Sequence, residues 1–157
     1  MPDMLVKLYQ LPPLEEVLEG QRAQGIEVRR AIAPEKSLVV EWVRHHFKDR
    51  WADEVECAFG HSPVGCFIAV QDGILIGFGC HDATVKNYFG PTGVDPVARG
   101  QGTGRALLLA CLHAMKWEGY AYAVIGGVGP WEFYAKACGA TIIDDSSPGI
   151  YGGMLRG

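Results

Sequence analysis

At 157 residues, 48% of them hydrophobic, the chain is sized for one core burying roughly 70% of the unfolded surface. A formal charge of −4, with Lys and Arg scattered and never in a run, excludes the basic footprint of a nucleic-acid binder. Nowhere do about 18 apolar residues run together, and the start Met-Pro-Asp-Met-Leu-Val-Lys carries an early acid, so neither a membrane span nor a signal peptide is read.

The expectation is one domain over 1–157, with 1–25 as an N-terminal arm and helix, in a cytoplasmic protein without membrane or nucleic-acid partners. Five cysteines, with no CxxC pair and no Cys/His spacing of a zinc site, read as reduced thiols.

Residues 4–11 read as a short strand or arm, and 14–24 as a helix opened by Pro12-Pro13 and closed at Gly25. Residues 26–32 alternate like a half-buried strand. Apolar residues at three- and four-residue steps over 38–47 predict an amphipathic helix, with a second short one at 51–59. Apolar runs at 65–71, 74–80 and 88–95 predict strands, the first two joined by a hairpin at Asp72-Gly73. Good helix formers fill 104–118 up to Gly119. A strand at 120–125, a helix at 130–138 and strands at 140–144 and 150–156 complete the reading. The fold class is α/β (α+β): a mixed, mostly antiparallel sheet with helices on both faces.

The segment from Val94 to Gly104 lies between a strand and a helix and carries the chemistry. Gly100, Gly102 and Gly104 allow a tight loop with bare amides. Those amides, with Gln101 and Thr103 among them, sit where a helix begins, and its unpaired N–H groups and partial positive charge suit phosphate. Arg99 adds a guanidinium fork. A Walker loop would need Gly-Lys-Ser/Thr, and the dinucleotide pattern G-x-G-x-x-G would need glycine at Arg105. Neither is present.

Arg99-Gly-Gln-Gly102-Thr-Gly104 resembles the acetyl-CoA-binding motif of the GNAT superfamily of N-acetyltransferases, Arg/Gln-x-x-Gly-x-Gly/Ala. Its context from Gly93 resembles the end of that family's fourth strand running into the third helix. Phe133-Tyr-Ala-Lys136, followed by Gly139, is similar to a second family segment. Gly127 and Pro130 stand where many members have Asn and Ala.

The resemblance implies a sheet splayed between its fourth and fifth strands, here 88–95 and 120–125, with the pantetheine arm of acetyl-CoA between them. It implies that Val94 holds the thioester and offers its N–H to the oxyanion. Arg99, Gly100, Gln101, Gly102, Thr103, Gly104 and Tyr134 are the expected cofactor contacts. Gly90, Pro91 and Gly93 in the strand at 88–95 predict a bulge there.

Tyr134 is also the implied general acid that protonates the departing thiolate. The strand at 88–94 holds no carboxylate; Asp82, with His81 beside it, ends the strand that by the resemblance faces the acceptor cleft, and either is a candidate to bind the acceptor ammonium or relay its proton through water. No metal is expected at His45-His46, whose side chains point about 100° apart on a helix. Cys138 is read as packing rather than as an acyl carrier.

The expected reaction is acetyl transfer from the co-substrate acetyl-CoA to a primary amine, by direct attack in a ternary complex. The acceptor, a small-molecule or protein amine, is not identified by any pattern, and a homodimer is compatible with the sequence. The alternative function is a non-catalytic module that senses acyl-CoA.

Overall fold

The computed structural model describes residues 1–156. Its strands are β1 (Met4–Lys7), β2 (Ile26–Arg30), β3 (Cys66–Gln71), β4 (Ile74–His81), β5 (Tyr88–Val94), β6 (Tyr122–Ile125) and β7 (Thr141–Ile142). The helices are α1 (Leu14–Arg22), α2 (Lys36–His46), α3 (Asp49–Phe59), α4 (Thr103–Trp117) and α5 (Trp131–Cys138).

The seven strands form one sheet in the order β2-β3-β4-β5-β6-β1-β7. Every pairing is antiparallel except β5 with β6. The β3–β4 hairpin turns at Asp72-Gly73, both at positive φ, as a tight primed turn requires.

At the N-terminal end the strand reading holds, and at the C-terminal end an expectation is corrected. The arm at 4–11 contributes β1, which inserts between β6 and β7, with Met4 opposite Ile125 on one side and Ile142 on the other. The expected strand at 150–156 is not formed. A short 3-10 turn spans Gly149–Tyr151, and no ladder follows it among the described residues. β1 carries Met4 and Val6 fully buried on one face, whereas 150–156 is interrupted by Gly152-Gly153, with Gly153 at φ 79°. The strand at 140–144 shortens to the two residues of β7.

Helices α2 and α3 pack over β3 and β4 through Val39, Val43, Ala52, Val55, Phe78 and Cys80. The other face is covered by α4, whose Leu107, Leu108, Leu109 and Leu112 are all fully buried. Gly77 permits this approach, since a Cβ there would sit 3.1 Å from the Leu107 side chain. α1 lies on α4, and α5 joins the same core through Tyr134, Ala137 and Cys138.

Two irregularities in β5 position the site. The β4–β5 register shifts between Gly79 and His81, opposite Gly90 and Pro91, which is the expected bulge. β5 pairs with β6 only at Tyr88 with Val124 and Phe89 with Ile125, and then continues alone to Val94. The two central strands therefore diverge, leaving main-chain groups of β5 facing a gap.

Candidate active site

The α4 N-terminus is built by backbone geometry that glycine favours. Gly100 has φ 88°, and Gly102, the residue capping the helix, has φ 77°. Ala106 N–H donates to the Gly102 carbonyl at 3.1 Å, so the N–H groups of Thr103, Gly104 and Arg105 precede the helical ladder. They form the electropositive end of a 15-residue helix.

The loop is held from beneath by α1. Buried Gln21 donates to the Gln101 carbonyl at 2.8 Å and accepts from the Thr103 hydroxyl at 2.7 Å. Gln24 donates to the same carbonyl at 3.0 Å, and the Gln101 side chain donates to the Ala98 carbonyl at 3.0 Å. The Thr103 hydroxyl and both the side chain and the carbonyl of Gln101 thus support the loop, and Gln101, an expected donor contact, does not line the cavity beside it. Arg99 is exposed, and its Nε donates to the Val94 carbonyl at 3.2 Å. Gln21 is a site-shaping residue that the sequence reading missed; its one signal is a polar side chain on the packed face of an amphipathic helix.

Val94 stands at the end of the unpaired stretch of β5. Asp95 N–H donates to the Ile76 carbonyl at 2.8 Å, and hydrogen-bonded pairs alternate along an antiparallel ladder. Val94, opposite Gly77, therefore directs its N–H away from β4 and into the gap beside β6. A cavity of about 520 Å³ lies there, lined by Val94, Arg99, Gly100, Gly102, Thr103 and Gly104 together with Arg105, Phe133 and Tyr134.

A second cavity of about 660 Å³ opens on the other side of Tyr134. Both are lined by Thr92, Pro130 and Tyr134. Tyr134 is nine-tenths buried, and burial, with Cys138 nearby, pushes its hydroxyl up to about 12. Cys138 donates to the Tyr134 carbonyl at 3.2 Å, and burial pushes its thiol up to about 11. At neutral pH that thiol is protonated, the poor-nucleophile form.

Asp82 lines neither cavity. Its Oδ1 accepts from Asn87 N–H at 2.7 Å and from the Tyr120 hydroxyl at 3.1 Å, and its Oδ2 accepts from His81 Nδ1 at 2.7 Å. Burial would raise its carboxyl, but these bonds, that from His81 foremost, outweigh it and hold the group below its ordinary value. The structure thus gives Asp82 a role in tying the turn after β4, where it adopts φ 56°. Asp82→Ala is expected to cost about 1–3 kcal/mol of stability by stranding buried partners. Chemical denaturation checks the loss, and calorimetry should show acetyl-CoA affinity intact.

His81, Asp82 and Glu118 bring ligand-type atoms within 4.8 Å of one another, though Asp82 is already saturated by the bonds above. His46 Nδ1 donates to the Trp42 carbonyl at 2.9 Å, and the ring stacks on Trp42 and lies 3.4 Å from Asp95. The carboxylate that does line the second cavity is Glu54 of α3, which the sequence reading did not single out.

The sequence model of the Acetyltransferase (GNAT) family matches residues 27–140, and the chain belongs to that family, whose activity is acyl transfer from acyl-CoA. Among curated proteins no sequence match was found. Three solved structures place the fold. A glucosamine N-acetyltransferase region of a fungal multi-domain β-N-acetylglucosaminidase superposes with a TM-score of 0.74 at 13% identity, covering 90% of this chain and 19% of that one. A GCN5-related N-acetyltransferase from Sphaerobacter thermophilus gives 0.68 at 23% identity, covering 90% and 48%. A GNAT family acetyltransferase from Brucella melitensis, in complex with acetyl-CoA, gives 0.55 at 17% identity, covering 69% and 80%. The chain thus spans about a fifth and about half of the first two. Among the described residues, no helix is long and apolar enough to cross a membrane.

Proposed function

We propose that the chain moves the acetyl group of acetyl-CoA onto a primary amine by direct attack in a ternary complex. The observation that carries this reading is the junction at Tyr134 of two cavities, one under the α4 N-terminus and one open to a second substrate. Free amides of Thr103, Gly104 and Arg105, with Arg99, suit the pyrophosphate of the donor. The gap between β5 and β6 suits its extended pantetheine arm, which can pair with the bare edge of β5.

In the reaction the neutral amine nitrogen attacks the thioester carbon, forming the C–N bond. Val94 N–H faces the oxyanion that results. Collapse breaks the C–S bond, and the sulfur takes the Tyr134 proton, which solvent restores as the attacking nitrogen loses its own. Much of the acceleration comes from holding the two substrates together.

The test is release of free CoA thiol on incubation with acetyl-CoA and a panel of primary amines, with mass spectrometry of the products. Amine-dependent thiol release with an acetylated amine supports transfer. Tight acetyl-CoA binding with no turnover on any amine would replace this reading with an acyl-CoA-sensing module.

A further inference from the structure

The cavity beyond Tyr134 is mostly walled by apolar and glycine residues, among them Phe89, Pro91, Ile125 and Val128. Its charged side chains are two, Lys48, the extended residue that precedes α3 at its N-terminal cap, and Glu54 two turns into the line it begins. Lys48, Trp51 and Glu54 follow at three-residue steps, so the helix presents a cation, an aromatic ring and a carboxylate in line. At about 1.5 Å per residue the two charged positions are roughly 9 Å apart along the axis.

Neither charge is paired with another side-chain charge among the described residues. Lys48 lies over the Trp51 ring, 4.9 Å from its centroid. Glu54 Oε1 accepts from the Thr84 hydroxyl at 2.5 Å, which fixes the carboxylate and leaves Oε2 without a hydrogen bond among the described residues. The same two residues, with Trp51, Thr84 and Tyr151, continue into a further groove of about 990 Å³, where Arg50 and Arg156 add positive charge and Asp53 a negative one.

Resting on the transfer reading above, we propose that the acceptor is an amine bearing an anionic group several bonds away, with Glu54 engaging the ammonium and Lys48 the anion. An amine with an uncharged body would leave Lys48 without a partner in the complex. A plain anion would meet the Glu54 carboxylate. A molecule with both charges matches each wall group once, and the spacing along α3 selects separated charges over adjacent ones. The anion can be a carboxylate or a phosphate, since an ammonium binds either as a point charge.

Matched acceptor pairs test the proposal: 5-aminopentanoate against pentan-1-amine, and 3-aminopropyl phosphate against 3-aminopropan-1-ol. The expected result is a kcat/KM at least about tenfold higher for the anionic member of one pair, the pair showing whether carboxylate or phosphate is preferred. Lys48→Met should bring the members of that pair within about threefold of each other, and Glu54→Gln should raise KM for both by about tenfold, with Glu54→Asp recovering part of it. Equal or better turnover of the plain amines, or a Lys48→Met variant that slows both members alike, would overturn the assignment. Failure of all four amines with acetyl-CoA binding intact would overturn it while leaving the donor reading standing. Loss of the donor reading itself would show separately, as absence of acetyl-CoA binding to the unmodified protein.

Discussion

Gly102→Val is expected to lower acetyl-CoA affinity by at least about tenfold, a loss of roughly 1.4 kcal/mol or more. Gly102 caps α4 at φ 77°, a region where a residue other than glycine costs about 1–3 kcal/mol and a β-branched one is a true outlier. To escape that strain the loop must rotate, and the amides of Thr103, Gly104 and Arg105 then lose their shared aim. The added Cβ would also stand 3.5 Å from Gln21 Nε2, the group that holds the Gln101 carbonyl. Stability and ligand affinity should therefore fall together in this variant. Arg99→Ala separates the two effects, because an exposed side chain is removed without touching backbone. It should weaken donor binding with little change in unfolding. Calorimetric titration with acetyl-CoA measures both, and wild-type affinity in Gly102→Val would place the donor elsewhere.

Tyr134→Phe is expected to lower turnover by roughly ten- to a thousandfold, with donor affinity little changed. The ring packs edge-on to Phe89 at 6.3 Å and beside Phe133 at 5.1 Å, contacts that phenylalanine keeps. What is lost is the one O–H of a residue that lines both cavities. Because burial pushes this hydroxyl up from 10.0 to about 12, it stays protonated throughout the useful pH range. An alkaline fall in rate below pH 10 would then belong to another group, and wild type and variant should show parallel profiles there.

The linked stability effect has a definite sign. The neutral tyrosine favours the fold fully below pH 10, where both states hold the proton, and that contribution is lost as pH climbs towards 12, because the unfolded chain ionises first. Transfer from so weak an acid to a thiolate is uphill, which limits its gain and makes it depend on the leaving group. A thioester of a more acidic thiol should shrink the Tyr134→Phe defect. An equal defect with both thioesters would make Tyr134 a positioning residue.

The parts of the molecule legible in its sequence are those where local chemistry and tertiary packing agree. Asp72-Gly73 turns the hairpin, the leucine-rich α4 fills the core, and the glycines of 100–104 bend where their positive φ values require it. Gly90, Pro91 and Gly93 foretell both the bulge and the weak pairing of β5, and with it the gap beside β6.

The partners of each strand were less legible. β1 reads as a strand or an arm, because four residues carry no mark of the distant pair they fall between, and the apolar residues near 150 look like a strand until Gly152-Gly153 interrupts them. The surroundings of Asp82 were hidden for a related reason: it lines neither cavity, and its oxygens accept from Asn87, Tyr120 and His81, partners up to 38 residues away in sequence. Lys48 and Glu54 are ordinary charged residues about a short helix until the fold turns that face onto the cavity beside Tyr134.

The account stands most directly on one measurement, thermal unfolding of the protein with acetyl-CoA, set beside ATP and NAD. Acetyl-CoA at 100 times its dissociation constant should add about 2.7 kcal/mol of stability, which for a domain of this size moves the midpoint upward by several degrees. ATP and NAD should not compete for that shift. A midpoint unmoved by millimolar acetyl-CoA, or one moved equally by ATP or NAD, would contradict the assignment of the α4 N-terminus and the β5–β6 gap as the acyl-CoA site.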